Sequence, residues 1–251
     1  MPRHLSYFVS DVHLGLDVSD PEGREERFVA LLRGIPQEET ENLFLLGDIW
    51  DFWYEYRDVV PRGYARVIAT LQDLVRSGVK VYFFRGNHDI WTFSYFGSLG
   101  IVMLEQPYCC RIGGKAFCMG HGDGLKPGWK GYRGVQAVFR SPFLQKCFST
   151  LHPRIAFSLA GRWSLKSRLS KSSAYEFKGE GEPLWKFCAS FPEKVDYFIF
   201  GHYHCLVDMP VGPGRLLVLG DWMSSSNWLV FDSATGEISR RVADPCTGPV
   251  Y

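Results

Sequence analysis

Five short clusters of acid, amide and imidazole side chains recur along the chain: Asp11-x-His13, Gly47-Asp48-x-x-Asp51, Gly86-Asn87-His88-Asp89, Gly120-His121-Gly122-Asp123 and Gly201-His202-x-His204. Carboxylates, one amide oxygen and several imidazoles make a mixed oxygen and nitrogen donor set. Such a set suits Mn, Fe, Zn or Co, and neither a thiolate-bound metal nor a calcium cage. His202 and His204, one residue apart, are expected on an extended turn where alternate side chains point into one cleft, so that each can hold its own ion. Two ions need one group that touches both. Asp48 is the candidate bridge, because a carboxylate can bind two cations roughly 3.5–4 Å apart. A single histidine reads most simply as a hydrogen-bonded core or surface residue. Buried carboxylates and imidazoles clustered without a metal would instead carry a large desolvation cost, so together they favour a metal site.

The elements that must position these groups are apolar runs ending abruptly in Gly or Asp: LSYFVSDVH, NLFLLGD, KVYFFRGNHD, KAFCMGHGD, DYFIFGHYH and RLLVLGD. Runs of this length bounded by turn residues read as strands buried on both faces, with glycines expected to turn the backbone at each strand end. Helical patterns at 22–34 and 61–78 lie between them, and WLVFDSATGEISRRV reads as a closing hairpin. The alternation predicts a layered α/β (α+β) protein, and 251 residues with 46% hydrophobic content can bury a sizeable core. The first apolar run stops at Asp11 and reads as a strand rather than a leader, and no run is long enough to span a membrane, so a cytoplasmic protein is expected. Seven cysteines without a CxxC pair read as reduced thiols and exclude a zinc ribbon.

The net charge of +1 hides a division. Between Gly124 and Lys178 there are eleven basic residues against one acid, Glu176, interleaved with Trp129, Tyr132, Phe139, Phe143, Phe148, Phe157 and Trp163. This segment has helical spacing and lies between two strand-plus-motif units. It reads as a basic helical insertion, residues 124–185, within a single domain of residues 1–251. Its apolar side is richer than tracking a phosphate backbone requires, so an anionic membrane surface is the expected partner and nucleic acid is not. The aromatic run Trp50, Phe52, Trp53, Tyr54 and Tyr56 fits either core packing or the lining of a substrate cleft, and cannot all face inward.

Taken in order, the five clusters resemble the calcineurin-like metallophosphoesterase superfamily, whose pattern is D-x-H, G-D-x-x-D, G-N-H, a G-H motif and a final G-H-x-H. The resemblance implies a two-sheet β-sandwich flanked by helices. It also implies that Asp11, His13 and His204 hold one metal, that Asn87, His121 and His202 hold a second, and that Asp48 bridges them. Two cations sharing a water lower its pKa toward neutrality and give a hydroxide in line with phosphorus. His88 is then the candidate to protonate the leaving oxygen or to bind a phosphoryl oxygen, with Asp89 expected to orient its ring. Asp51 and Asp123 read as groups that support ligands or orient substrate.

Within that superfamily the layout is most similar to the UDP-2,3-diacylglucosamine hydrolases of lipid A synthesis, through GDIWDFWYEY, GHGDGL and the Lys/Ser-rich KSRLSKSSAYEF. This resemblance implies a helical lid with acyl chains lying between it and the metal cleft, Mn²⁺ as the metal, and a UDP-linked acylated glucosamine as substrate. The pyrophosphate would be cleaved at the α-phosphorus to UMP and 2,3-diacylglucosamine 1-phosphate. Lys166, Arg168, Lys171 and Ser172 are the candidates for phosphate and sugar contacts, beside Asn87, His88, Asp123 and His202. One departure is G-N-H-D-I, with His88 where better-known members carry Arg; it bears on the substrate more than on the reaction. A general phosphatase or phosphodiesterase acting on soluble nucleotides or phosphoproteins fits the same clusters. A catalytically silent scaffold fits less well, having no reason to keep a complete ligand set.

Overall fold

The alternation of the apolar runs dictates where each strand's side chains go. In the computed structural model, residues 2–125, 134, 138–139, 141–159, 161 and 175–243 are described. Strands β1 (Leu5–Val9), β2 (Thr40–Leu45) and β3 (Lys80–Phe84) lie parallel and adjacent, and β4 (Val102–Leu104) extends them at one edge. The predicted hairpin, β10 (Asn227–Asp232) and β11 (Glu237–Val242), completes this six-stranded sheet on the other side. The second sheet has the order β5 (Tyr108–Ile112), β6 (Lys115–Gly120), β7 (Tyr197–Phe200), β9 (Gly214–Val218), β8 (Val207–Val211), with β6, β7 and β9 parallel.

The period of two sorts these strands' residues between layers. Phe8, Phe44 and Phe84 meet Phe117, Ile199 and Leu217 between the sheets. Tyr7, Val9, Leu43, Leu45, Val81 and Phe83 face outward onto the crossover helices α1 (Pro21–Gly34) and α2 (Ala65–Arg76). On the far side, Phe198, Phe200, Leu216 and Val218 pack with Leu184 and Cys188 of a later helix, Pro183–Ala189. The result is the expected sandwich, four layers deep. Helix α2 begins later than the predicted 61–78, because Gly63 at φ 119 interrupts a helical path from Pro61. The six described cysteines are free thiols, as expected. Among the described residues no helix is long and apolar enough to cross a membrane.

The described part of the basic segment contains helix Pro142–Ser149, whose first turn is capped by Ser141 Oγ accepting from Leu144 N at 3.4 Å, and a helical stretch at 153–159. Lys166, Arg168, Lys171 and Ser172 lie outside the described residues. The aromatic run divides as its spacing allows. Trp50 and Trp53 are buried in the core against Phe96, whereas Phe52, Tyr54 and Tyr56 turn toward the inserted helices. Phe52 packs on Phe148 and Phe157, Tyr54 donates from its hydroxyl to Gln145 O at 2.7 Å, and Trp91 Nε1 donates to Phe139 O at 2.8 Å.

Candidate metal centre

All five clusters follow parallel strands, β1, β2 and β3 in one sheet and β6 and β7 in the other, so their loops meet at one end of the sandwich. Backbone bonds stitch them together: Asp11 N donates to Gly47 O (3.1 Å), His13 N to Asp48 O (3.0 Å) and Gly201 N to His121 O (2.9 Å). Two expectations about local conformation are corrected here. The 202–204 segment is not extended, because Tyr203 N donates to Gly201 O at 2.9 Å and closes a three-residue turn with His202 at φ 70 and His204 at φ 53. Nor do glycines carry all of the sharp bends. Asp11, His13 and Asp48 themselves take left-handed φ of 53°, 50° and 52°, a conformation costing each non-glycine residue about 1 kcal/mol or more. Gly86 and Gly201 serve instead for close approach: a Cβ on Gly86 would lie 2.1 Å from Asp48 Oδ1, and one on Gly201 2.3 Å from Asp11 Oδ2.

The side chains converge as this stitching requires. One donor atom from each of Asp11, His13, Asp48 and His204 falls within 4.8 Å of the others. His13 Nε2 lies 3.8 Å from Asp11 Oδ1 and 3.7 Å from Asp48 Oδ2, and His204 Nε2 lies 3.5 Å from Asp11 Oδ1. On the other side of Asp48, His121 Nε2 is 3.4 Å from Asp48 Oδ2 and 3.2 Å from Asn87 Oδ1, which also meets His202 Nδ1 at 2.8 Å. Asp48 therefore stands between the two groups, with one oxygen, Oδ1, accepting from His88 N at 2.8 Å and the other, Oδ2, buried without a hydrogen bond.

That buried oxygen tests whether the residues fit a cation. A carboxylate buried without a hydrogen bond at one of its oxygens is unstable unless positive charge sits beside it. Burial opposes ionisation of Asp48, yet His121, His88 and His13 hold its carboxyl pKa well below the usual carboxylate range, so that it stays ionised. Reciprocally, and against its own burial, Asp48 lifts His121 well above the ordinary imidazole value. Burial, then His121, push His202 down to about 4, which leaves a neutral ring with a free lone pair. The donor set fits a divalent metal site.

Supports behind the candidate ligands fix their rings. His121 Nδ1 donates to Leu46 O at 3.0 Å, which directs Nε2 inward. His13 Nδ1 lies 3.2 Å from Asp51 Oδ1, at ion-pair distance. Asp123 is buried, and Gln106 ties its loop by donating to Asp123 O at 2.9 Å and accepting from Gly122 N at 2.7 Å. Asp89 does not orient the ring of His88. Its buried carboxylate instead accepts backbone N–H bonds from Gly86 (2.7 Å), Asp48 (3.3 Å), Ile49 (2.8 Å) and Trp50 (3.4 Å). The ring of His88 is held by Asp51, whose carbonyl accepts from Nδ1 at 2.9 Å.

Asp221 and Gln106 are site residues that the motifs do not reveal. Asp221 Oδ2 lies 3.2 Å from His204 Nδ1, and the next residue's amide, Trp222 N, donates to Asp11 O at 3.1 Å. The signal was the sixth apolar run, RLLVLGD, which ends in the same Gly-Asp as the others without an Asn or His to mark it. Gln106 carries no motif signal.

Comparison with known proteins agrees with this geometry. UDP-2,3-diacylglucosamine hydrolase of Porphyromonas gingivalis is 37% identical over 253 residues, covering 93% of this chain and 96% of that protein. The protein of the same name from Yersinia pseudotuberculosis is 26% identical over 223 residues, covering 86% and 90%. A solved archaeal phosphodiesterase shares the fold, with a TM-score of 0.50 and 11% identity over 95% of this chain and 99% of that one. The model of the calcineurin-like phosphoesterase family matches residues 6–206, a span that starts in β1 and ends just past the closing G-H-x-H. On that match, and with every motif loop brought to one end of the sandwich, the chain belongs to the calcineurin-like phosphoesterase family.

Proposed function

We propose that this chain is a metal-dependent hydrolase that cleaves the pyrophosphate of UDP-2,3-diacylglucosamine to UMP and 2,3-diacylglucosamine 1-phosphate, a step of lipid A synthesis. The observation that carries the reading is the continuity between metal centre and insertion. The loop that presents Asp48 runs directly into Phe52, Tyr54 and Tyr56, which hold the basic helices, and on those helices Phe143, Leu144, Ile155 and Leu159 remain exposed. A diacylated sugar with an anionic diphosphate needs such an apolar surface beside a cationic one. The similarity to relatives named for this activity, covering nearly the whole chain, supports the same substrate.

Asp11, His13, His204 and Asp48 would hold one ion, and Asn87, His121, His202 and Asp48 a second, with Mn²⁺ proposed from a donor set that suits Mn, Fe, Zn or Co. When bound, such a pair supplies a water acidified toward neutrality and positive charge for the phosphoryl oxygens. The chain's own residues aim and screen that chemistry. His88, with Nδ1 committed to the Asp51 carbonyl and its acidity shifted by burial toward the neutral ring, presents Nε2 as an acceptor. Expulsion of a phosphate anion from a pyrophosphate needs no proton donor, so this ring suits a substrate hydroxyl better than the leaving oxygen. The insertion at 124–185 acts as a lid on one domain and rests on the anionic inner face of the cytoplasmic membrane.

The lid assignment has its own test. Neutralising Lys166, Arg168 and Lys171 together is expected to raise KM for the lipid substrate about tenfold or more, by loss of charge-assisted phosphate contacts, while a nitrophenyl phosphodiester is cleaved at the parental rate. Equal losses on both substrates would contradict it.

A further inference from the structure

We infer that Asp221, which lies outside the five motif clusters, is the positioning residue that makes His204 a ligand and so sets the affinity of the Asp11 side of the metal centre. The inference rests on the two-site reading above. His204 stands between two carboxylates, with Nε2 3.5 Å from Asp11 Oδ1 and Nδ1 3.2 Å from Asp221 Oδ2. A carboxylate can only accept, so the nitrogen facing Asp221 carries the proton and Nε2 is left as the lone pair turned toward Asp11.

Asp221 is itself held rigidly. It is buried, and its second oxygen, Oδ1, accepts from Met223 N at 3.0 Å and Ser224 N at 2.7 Å. Its loop is tied to the same side of the centre, since Trp222 N donates to Asp11 O at 3.1 Å. β9, which leads into Asp221, is the parallel neighbour of β7, which leads into His204. The two side chains thus leave adjacent strand ends and meet by construction of the sheet.

The two sides of the centre differ in this respect. On the Asp11 side each imidazole has a carboxylate oxygen 3.2 Å from its Nδ1, Asp51 Oδ1 at ion-pair distance for His13 and Asp221 Oδ2 in a hydrogen bond for His204. On the Asn87 side the partners of both rings are neutral, the carbonyl of Leu46 for His121 and the amide oxygen of Asn87 for His202. A backing carboxylate raises the basicity of the ring and holds its tautomer, so the Asp11 side is the tighter of the two, and Asp221 supplies part of that difference.

The test is a Mn²⁺ titration of the purified full-length protein, followed by calorimetry and by the loss of free Mn²⁺ signal in electron paramagnetic resonance. Asp221→Asn keeps an oxygen for the 223–224 amides but cannot accept from Nδ1 and leave that cap intact. It is expected to weaken one of two binding events by about 10- to 100-fold and leave the other unchanged. Turnover should return at high Mn²⁺ with kcat near the parental value. In a His204→Ala background, Asp221→Asn should cause no further loss, because it acts through that ring. Two unchanged affinities in Asp221→Asn, or a uniform weakening of both events with a fallen melting temperature, would overturn the role and leave Asp221 a turn cap. Wild-type protein that takes up no Mn²⁺ would overturn the two-site reading itself, and with it this role.

Discussion

Asp48→Ala is expected to abolish Mn²⁺ uptake and turnover together, with metal affinity down by more than the roughly 100-fold typical of losing a supporting residue, since a shared ligand is removed. Asp48 is the side chain that reaches the imidazoles of both donor groups: Oδ2 is 3.4 Å from His121 Nε2 and 3.7 Å from His13 Nε2. Its removal leaves those imidazoles without the charge that gathers them. The fold should survive, because the backbone of residues 48–50 is held independently by Asp89. Asp48→Asn separates the contributions, since it keeps an acceptor for His88 N but loses the negative charge. Metal analysis of dialysed protein beside a turnover assay checks the result; unchanged metal content with full activity would exclude Asp48 as the bridge.

The second large effect falls on stability. Asp89→Ala is expected to cost about 3–5 kcal/mol, from four buried backbone donors left unpaired at roughly 1–3 kcal/mol each, offset in part by removal of a carboxyl whose ionisation the site opposes. Four backbone N–H groups from two loops converge on one carboxylate buried from solvent. Burial, then the charge of Asp48, push this acid up to about 7, so it resists ionisation and the amide donors work against that resistance. Asp89→Asn should cost less, because one oxygen still accepts. Urea unfolding followed by tryptophan fluorescence measures the difference; a loss under about 1 kcal/mol for the alanine variant would mean that the loops carry themselves.

The parts of this molecule that announce themselves in sequence are those governed by short-range chemistry. Apolar runs broken by Gly-Asp or Gly-His become strands whose ends gather the donors, and Phe8, Phe44 and Phe84 take the inner face because the strand period allows nothing else. The division of the aromatic run was legible only in part: Phe52, Tyr54 and Tyr56 repeat at the spacing of one strand face, but Trp50 shares that phase and is nonetheless buried in the core with Trp53. What depends on the return of the chain was not legible. Asp89 sits beside His88 in sequence, but its carboxylate turns back onto the 47–50 loop, a pairing that only the parallel placement of β2 and β3 creates. Asp221 meets His204 for the same reason, across β7 and β9. The left-handed backbone at Asp11, His13, Asp48, His202 and His204 falls on residue types that visit that region more readily than most, but residue type alone does not place it there; the surrounding loop bonds do.

The substrate is tested most directly by incubating the purified protein with UDP-2,3-diacylglucosamine and Mn²⁺ and following the products by mass spectrometry. Metal-dependent release of UMP and 2,3-diacylglucosamine 1-phosphate in equal amounts is the predicted result, with His88 then a tolerated difference from the Arg of better-known members. An intact lipid substrate, under conditions where a soluble phosphodiester is cleaved, would contradict the account and move the substrate to a soluble phosphoester.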